Sequence, residues 1–205
     1  MAETDDMQVM IELAAFDKLI DRAYPTISDE GKAWFRRAIK DNHRMCSHLF
    51  EMAVTEVGGI AHDPTFGKDH IDGSDCKFST VRLKSHGKTY AARVGDFHNK
   101  KGFLRVYVFE RIQNAEYFFR IPYNAYSGYT HIEIPFYKDT GFPKRRNKWW
   151  KDFEVQTFDE LCAVDTSFVV TTPRPVPYMN ANFVADKQRM LVGAEIQFAQ
   201  LFTQV

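Results

Sequence analysis

The chain has 205 residues, 44% hydrophobic, 15% aromatic and 26% charged. That is enough for one sizeable core and excludes a disordered chain. No apolar run approaches the roughly 18 residues of a membrane span. Cys46, Cys76 and Cys162 are too few and too widely spaced for a zinc ribbon or a disulfide framework. Charge sums to zero, 27 basic against 27 acidic, but unevenly. Residues 1–76 hold 8 basic and 15 acidic side chains, residues 77–151 hold 16 and 5, and residues 152–205 hold 3 and 7. A strongly basic middle survives the neutral total and points to a polyanionic partner. The acidic opening, Met1 to Asp6, is unlike a signal peptide, and with unpaired thiols it predicts a cytoplasmic setting.

In chain order, Met7 to Tyr24 carries Val9, Met10, Leu13, Phe16 and Ile20 near helical spacing, which predicts a helix ended by Pro25. Ser28 is an N-cap type, with Asp29 and Glu30 placed to favour a first turn. One long helix is predicted from there to about Val57, with Phe35, Ile39, Cys46, Leu49, Phe50, Ala53 and Val57 as its stripe and Gly58-Gly59 as its stop. Strands are predicted at Cys76–Leu83, at Phe103–Glu110 and at Glu116–Ile121. The last two join as a hairpin through Gln113-Asn114. His131–Phe136 is a further strand, marked as an edge by Pro135. Thr157-Phe158-Asp159-Glu160 is a capping box opening a short helix. The prolines between Thr171 and Pro177 predict a loop or arm, and the tail from Ala185 a weakly amphipathic helix. The sum is a single α/β (α+β) domain over residues 1–205. It comprises N-terminal helices over 7–57, a mixed sheet core over 60–136, a basic segment over 144–151 and a C-terminal extension.

The chemistry concentrates between Asp63 and Lys77. Asp63, Asp69, Asp72 and Asp75 run directly into Lys77 and the basic middle. Asp72-Gly73 is a turn signal between short strand-like runs. A three-residue turn, Asp72-Gly73-Ser74, sets Asp69 opposite Lys77 and places Asp69, Asp75 and Lys77 on one face. A two-residue turn groups Asp75 and Lys77 with His70 and Lys68 and turns Asp69 away. Two carboxylates on one face suit a hard divalent cation. A lysine beside them suits the handling of water or of charge at a phosphate. The acid-x-lysine triplet also occurs as Glu30-Gly31-Lys32, so it is the strand, the turn and the upstream acid that set Asp75-Cys76-Lys77 apart.

Gly67-Lys68-Asp69-His70-Ile71-Asp72, followed by Asp75-Cys76-Lys77 entering a strand, resembles the active-site hairpin of PD-(D/E)XK nucleases. The closer likeness is to small type II restriction endonucleases, over roughly residues 30–121. The resemblance implies a restriction-endonuclease-like fold and Mg²⁺-dependent hydrolysis of phosphodiester bonds in double-stranded DNA, with Mn²⁺ able to substitute. It makes Asp69 and Asp75 the metal ligands, adds the Cys76 backbone carbonyl, and makes Lys77 the catalytic lysine. Asp63, in the order Asp63-Pro64, lies at a more usual distance from Asp75 and competes with Asp69 for the first position. Some of these enzymes add a helix glutamate. At 100° per residue Glu51 lies about 140° from the centre of the apolar stripe and Glu56 about 80°, so Glu56 is the better placed and Glu51 is expected to be solvated.

DNA affinity is assigned to Arg82, Lys84, Lys88, Lys100 and Lys101, and to Lys144, Arg145, Arg146 and Lys148 of the segment ending in Trp149-Trp150-Lys151. A palindromic target implies a homodimer. No nucleotide-binding signature and no membrane segment is present. The rival readings are a phage or repair and recombination DNA-processing nuclease, and a non-catalytic DNA-binding protein using the same basic middle. His43 and His48 have the wrong spacing for a helical zinc pair, and Asp96-Phe97-His98-Asn99-Lys100 lacks the second histidine of a His-Asn-His site.

Overall fold

Helix α1 spans Ala2–Ala23 and stops ahead of Pro25, as its spacing predicts. The computed structural model describes residues 2–41, 45–63, 68–83, 89–95, 97, 102–138 and 152–163. The basic segment 144–151, the 171–177 arm and the tail from residue 185 lie outside them. Ser28 caps the next helix: its hydroxyl accepts the Gly31 N–H at 3.1 Å. The single helix expected over 29–57 is described as two, α2 (Asp29–Asp41) and α3 (Met45–Gly58), and residues 42–44 between them lie outside the description.

Among the described residues six strands follow: β1 (Ser74–Leu83), β2 (Thr89–Gly95), β3 (Phe103–Glu110), β4 (Ala115–Pro122), β5 (His131–Lys138) and β6 (Glu154–Val155). Short helix α4 (Tyr123–Tyr126) follows β4, and α5 (Phe158–Cys162) ends the described chain. The expected β3–β4 hairpin is present, with Glu110 opposite Ala115. Its turn is locked by the Glu110 carboxylate, which accepts the N–H groups of Ile112 and Gln113 at 2.7 and 2.9 Å. Asn114 takes the left-handed conformation, φ 51°, that asparagine tolerates. Pro135 lies on an edge strand beside a register shift, where a missing N–H costs little. Both halves of the capping box at Thr157 and Glu160 form. Strand β2 was not predicted.

The sheet order is β5-β2-β1-β3-β4-β6, with β1 parallel to β3 and every other pair antiparallel. Side chains alternate, so the sheet has two apolar faces. Cys76, Phe78, Tyr107, Phe109 and Phe118 meet helices α1, α2, α3 and α5 on one. Ala92, Val94, Leu104, Val106, Val108, Phe119, Ile121, Ile134 and Phe136 form the other, with Tyr126 of α4. Tyr117 of β4 reaches Phe136 of β5, ring centroids 5.0 Å apart, although three strands separate them in the order. The sheet therefore curls around its second face, which buries apolar residues with little helical cover.

Helix α1 is fastened to the sheet by a partly buried network. Arg22 donates to both Glu116 oxygens at 2.5 and 2.7 Å, and the Tyr107 hydroxyl donates to Glu116 Oε1 at 2.8 Å. Arg22 also lies 4.9 Å from the Phe158 ring centroid. Burial works against the Glu116 charge, but the Arg22 and Tyr107 hydrogen bonds outweigh it and hold the carboxyl below its ordinary 4.5. A depressed folded-state pKa gives stability that is present above the unfolded value and lost as pH falls through the folded one. Glu116→Gln is therefore expected to lower stability by about 2 kcal/mol at pH 7. The deficit should shrink toward pH 3, where the wild-type carboxylate is itself being protonated. Urea midpoints of both proteins at pH 7 and pH 3 test this; a deficit unchanged at pH 3 would contradict it.

Candidate active site

Residues 68–73 do not form a hairpin with β1 in either predicted register. Instead 68–70 runs antiparallel to 61–63: His62 bridges His70, and the Asp63 N–H donates to the Asp69 carbonyl at 2.8 Å. The turn at Asp72-Gly73 is real. Gly73 sits at φ 84°, a glycine conformation, and its N–H donates to the His70 carbonyl at 3.0 Å. It leads directly into β1, and both Asp69 and His70 donate main-chain N–H to the Ser74 carbonyl. Asp69 thus hangs on a loop folded over the start of β1, not on a strand of its own.

That loop brings Asp69 to Asp75. Asp69 Oδ2 accepts the Cys76 N–H at 2.6 Å, next to Asp75 in the chain, and the Asp69 charge acts on the Asp75 carboxyl. Lys77 Nζ stands 3.0 Å from Asp75 Oδ1. Both acids are buried and Lys77 is half-buried. Burial, opposed by Lys77 and reinforced by the neighbouring Asp69, pushes the Asp75 carboxyl up to about 7. Burial works against the Lys77 charge, but Asp75, then Asp69 and Glu51, outweigh it and raise its pKa.

The sheet opens at this point. The β1–β3 ladder covers Ser74 to Thr80, whereas the β1–β2 ladder covers Val81 to Leu83. At the fork the Ser79 hydroxyl donates to the Arg93 carbonyl at 2.8 Å. Cys76 turns its N–H away from β3, toward Asp69. A strand residue directs its N–H and C=O to the same side, which puts the Cys76 carbonyl on the Asp69 side of β1.

Other expectations are corrected. His70 does not join Asp75 and Lys77. It lies fully buried on the helical side, with Nε2 3.2 Å from Thr55 Oγ1 and 3.3 Å from the Glu51 carbonyl. Burial drives its pKa down to about 4, so the ring is neutral. Lys68 pairs with Asp63 at 2.5 Å, so Asp63 has its own counter-charge and Asp69 is the acid beside Asp75. Asp72 is taken by Arg105 at 2.7 Å. Glu56 is exposed, while Glu51, expected to be solvated, is half-buried and its charge acts on both Lys77 and Cys76. The reason is a second docking surface: besides its apolar stripe, α3 is covered on the Glu51–Thr55 flank by the loop carrying His70. Burial and the surrounding acids raise the Cys76 thiol well above its ordinary pKa, so it is no nucleophile.

Arg82 is exposed, stands roughly 23 Å along β1 from Asp75, and lies on the opposite face, with Nε donating to Thr80 Oγ1 at 3.2 Å. The structure does not bring it to the acids. Lys84, Lys88, Lys100, Lys101, Lys144, Arg145, Arg146 and Lys148 lie outside the described residues.

Among the described residues no cluster of three His, Cys, Asp or Glu side chains forms a ready cation site. The donors that do fit a hard divalent ion are the two adjoining carboxylates and the Cys76 carbonyl. Asp75 Oδ2 is buried and meets no hydrogen-bond donor among the described residues. Two acids pressed together with one oxygen unsatisfied are relieved by a cation. No helix among the described residues is long and apolar enough to cross a membrane. No family model, curated protein or solved structure matches the chain.

Proposed function

We propose that this chain is a Mg²⁺-dependent DNA endonuclease with a restriction-endonuclease-like site, cutting double-stranded DNA as a cytoplasmic homodimer. The observation that carries the reading is the buried Asp69–Asp75 pair with Lys77 3.0 Å from Asp75. The mixed sheet with helices agrees with the reading at the level of an α/β fold. Asp69, Asp75 and the Cys76 carbonyl would hold the ion, and Glu51 is the helix glutamate nearest to them. When bound, Mg²⁺ supplies Lewis-acid polarisation of the phosphate and acidifies bound water. The raised pKa keeps Lys77 protonated, so its role is that of hydrogen-bond donor and counter-charge, orienting the attacking water and offsetting charge on the phosphate. The Lys68–Asp63 pair fixes the loop that carries Asp69. The positive middle of the sequence supplies long-range attraction to the DNA backbone.

The test is cleavage of plasmid and linear duplex in Mg²⁺ and in EDTA. Discrete fragments that require Mg²⁺ are expected. Smearing, or cutting confined to branched or single-stranded DNA, would move the reading to a DNA-processing nuclease. No cleavage, with DNA binding indifferent to EDTA, would leave a non-catalytic DNA-binding protein.

A further inference from the structure

Two buried polar atoms without a protein partner among the described residues belong to one place: Asp75 Oδ2 and the Tyr126 hydroxyl. Asp75 is 4% exposed and Tyr126 1%. The topology sets them together. Strands β1 and β3 are parallel, with Ser74 opposite Phe103 and Asp75 opposite Leu104. Strand β4 returns to that same end, bringing Pro122 opposite Phe103. Helix α4 begins there, its Tyr123 N–H donating to the Gly102 carbonyl at 3.0 Å. Tyr126 then enters the inner cluster with Leu104, Val106 and Ile121. By strand alternation that is the face carrying Asp75 and Lys77.

The ring is held in place by Phe97, centroids 5.0 Å apart, and by Tyr123, 5.4 Å apart and edge-on. Burial, and after it the negative Asp75 carboxylate, raise the Tyr126 phenol further above its ordinary value. The hydroxyl therefore stays protonated and is always a donor. A buried phenol whose hydroxyl lacks a hydrogen-bond partner costs the fold stability. A ligand that completes the bond removes that cost.

We infer that Tyr126 is a substrate-contacting residue of this site: its hydroxyl donates to a non-bridging oxygen of a phosphodiester seated beside Asp75 and Lys77. The inference rests on the phosphodiester-hydrolase reading. Lys77 brings charge to the phosphate from one side. Tyr126 brings a neutral, oriented donor from an aromatic wall that sheds water, where such a bond is strongest.

The experiment compares wild type with Tyr126→Phe in steady-state plasmid cleavage with Mg²⁺ and in urea unfolding. Phenylalanine keeps the ring packing and removes one atom. The expected result is a loss of about ten- to a hundredfold in kcat with KM changed less than about threefold. The urea midpoint should be equal to or above that of wild type, because an unsatisfied hydroxyl has gone. Unchanged kcat overturns the inference while leaving the nuclease standing. A lowered midpoint also overturns it, since it shows that the hydroxyl is already satisfied within the fold. A wild-type protein that cuts nothing removes the nuclease reading and this contact together.

Discussion

Lys77→Ala is expected to lower the rate constant of single-turnover DNA cleavage by about 10²–10⁴-fold, the range for losing one positioned donor or proton-handling group. Three observations place the loss in the chemical step. Nζ is 3.0 Å from Asp75 Oδ1, the ammonium is half-buried, and it shares with Asp75 the face of β1 turned away from the helices. A charge in that position acts where phosphate negative charge builds up. On the nuclease reading it contributes little to overall attraction for DNA, which the other basic residues of the middle segment would provide. Binding to an uncut duplex in Ca²⁺, measured by gel shift, should therefore stay within about threefold of wild type. Lys77→Arg should recover little, because a planar fork cannot occupy the place of a compact ammonium bonded to one carboxylate oxygen. A rate within threefold of wild type for the alanine variant would sink the catalytic role of Lys77.

How far the sequence foretold this arrangement depends on how local each cause is. The β3–β4 hairpin was legible because β-branched and aromatic residues alternate up to a turn whose Asn114 accepts a left-handed conformation. The Thr157–Glu160 capping box was legible because its two hydrogen bonds lie within one turn of chain. Strand β2 was not, because Thr89-Tyr90-Ala91-Ala92-Arg93-Val94-Gly95 has two alanines and a glycine in place of strand formers. It is held by pairing with β1 and β5, which is tertiary context.

The candidate site divides in the same way. Asp75 and Lys77 share a face by strand alternation alone, and Gly73 does provide the expected turn. The position of Asp69 follows instead from the pairing of 68–70 with 61–63 and from the Arg105 anchor 33 positions beyond Asp72, neither of which leaves a local periodic trace. Glu51 was misjudged because a helical-wheel angle measures distance from one apolar stripe, while α3 is covered on two sides. One signal was available for it: Glu51 and Thr55 are four apart and share a polar flank that a folded loop can cover.

The turn that positions both acids hangs on a fully buried arginine, and Arg105→Ala is expected to cost about 3–5 kcal/mol of stability. Arg105 is 0% exposed. Its Nη2 lies 2.7 Å from Asp72 Oδ2, its Nη1 donates to the Ser74 hydroxyl, and its Nε donates to the Leu161 carbonyl at 2.8 Å. The guanidinium also stands 4.8 Å from the Phe103 ring centroid. Asp72 Oδ1 in turn accepts the Ser74 N–H and hydroxyl at 3.1 and 2.7 Å. Burial works against the Asp72 charge, yet Arg105 and Ser74 outweigh it and hold the carboxyl below its ordinary value. Removing either partner strands the other as a buried, uncompensated charge, so Asp72→Ala should cost a similar amount. Removing both leaves no stranded charge. The double variant Asp72→Ala with Arg105→Ala should therefore be less destabilised than the sum of the single changes by at least about 2 kcal/mol. Urea unfolding of the four proteins at pH 7 measures that difference directly; additive single effects would show that the pair is not what holds the turn. Because Asp69 donates its N–H to the Ser74 carbonyl at 2.8 Å, the same turn sets the separation of Asp69 from Asp75. On the nuclease reading the double variant, although it folds, should cut more slowly than wild type, the turn having lost its anchor while Lys77 remains intact.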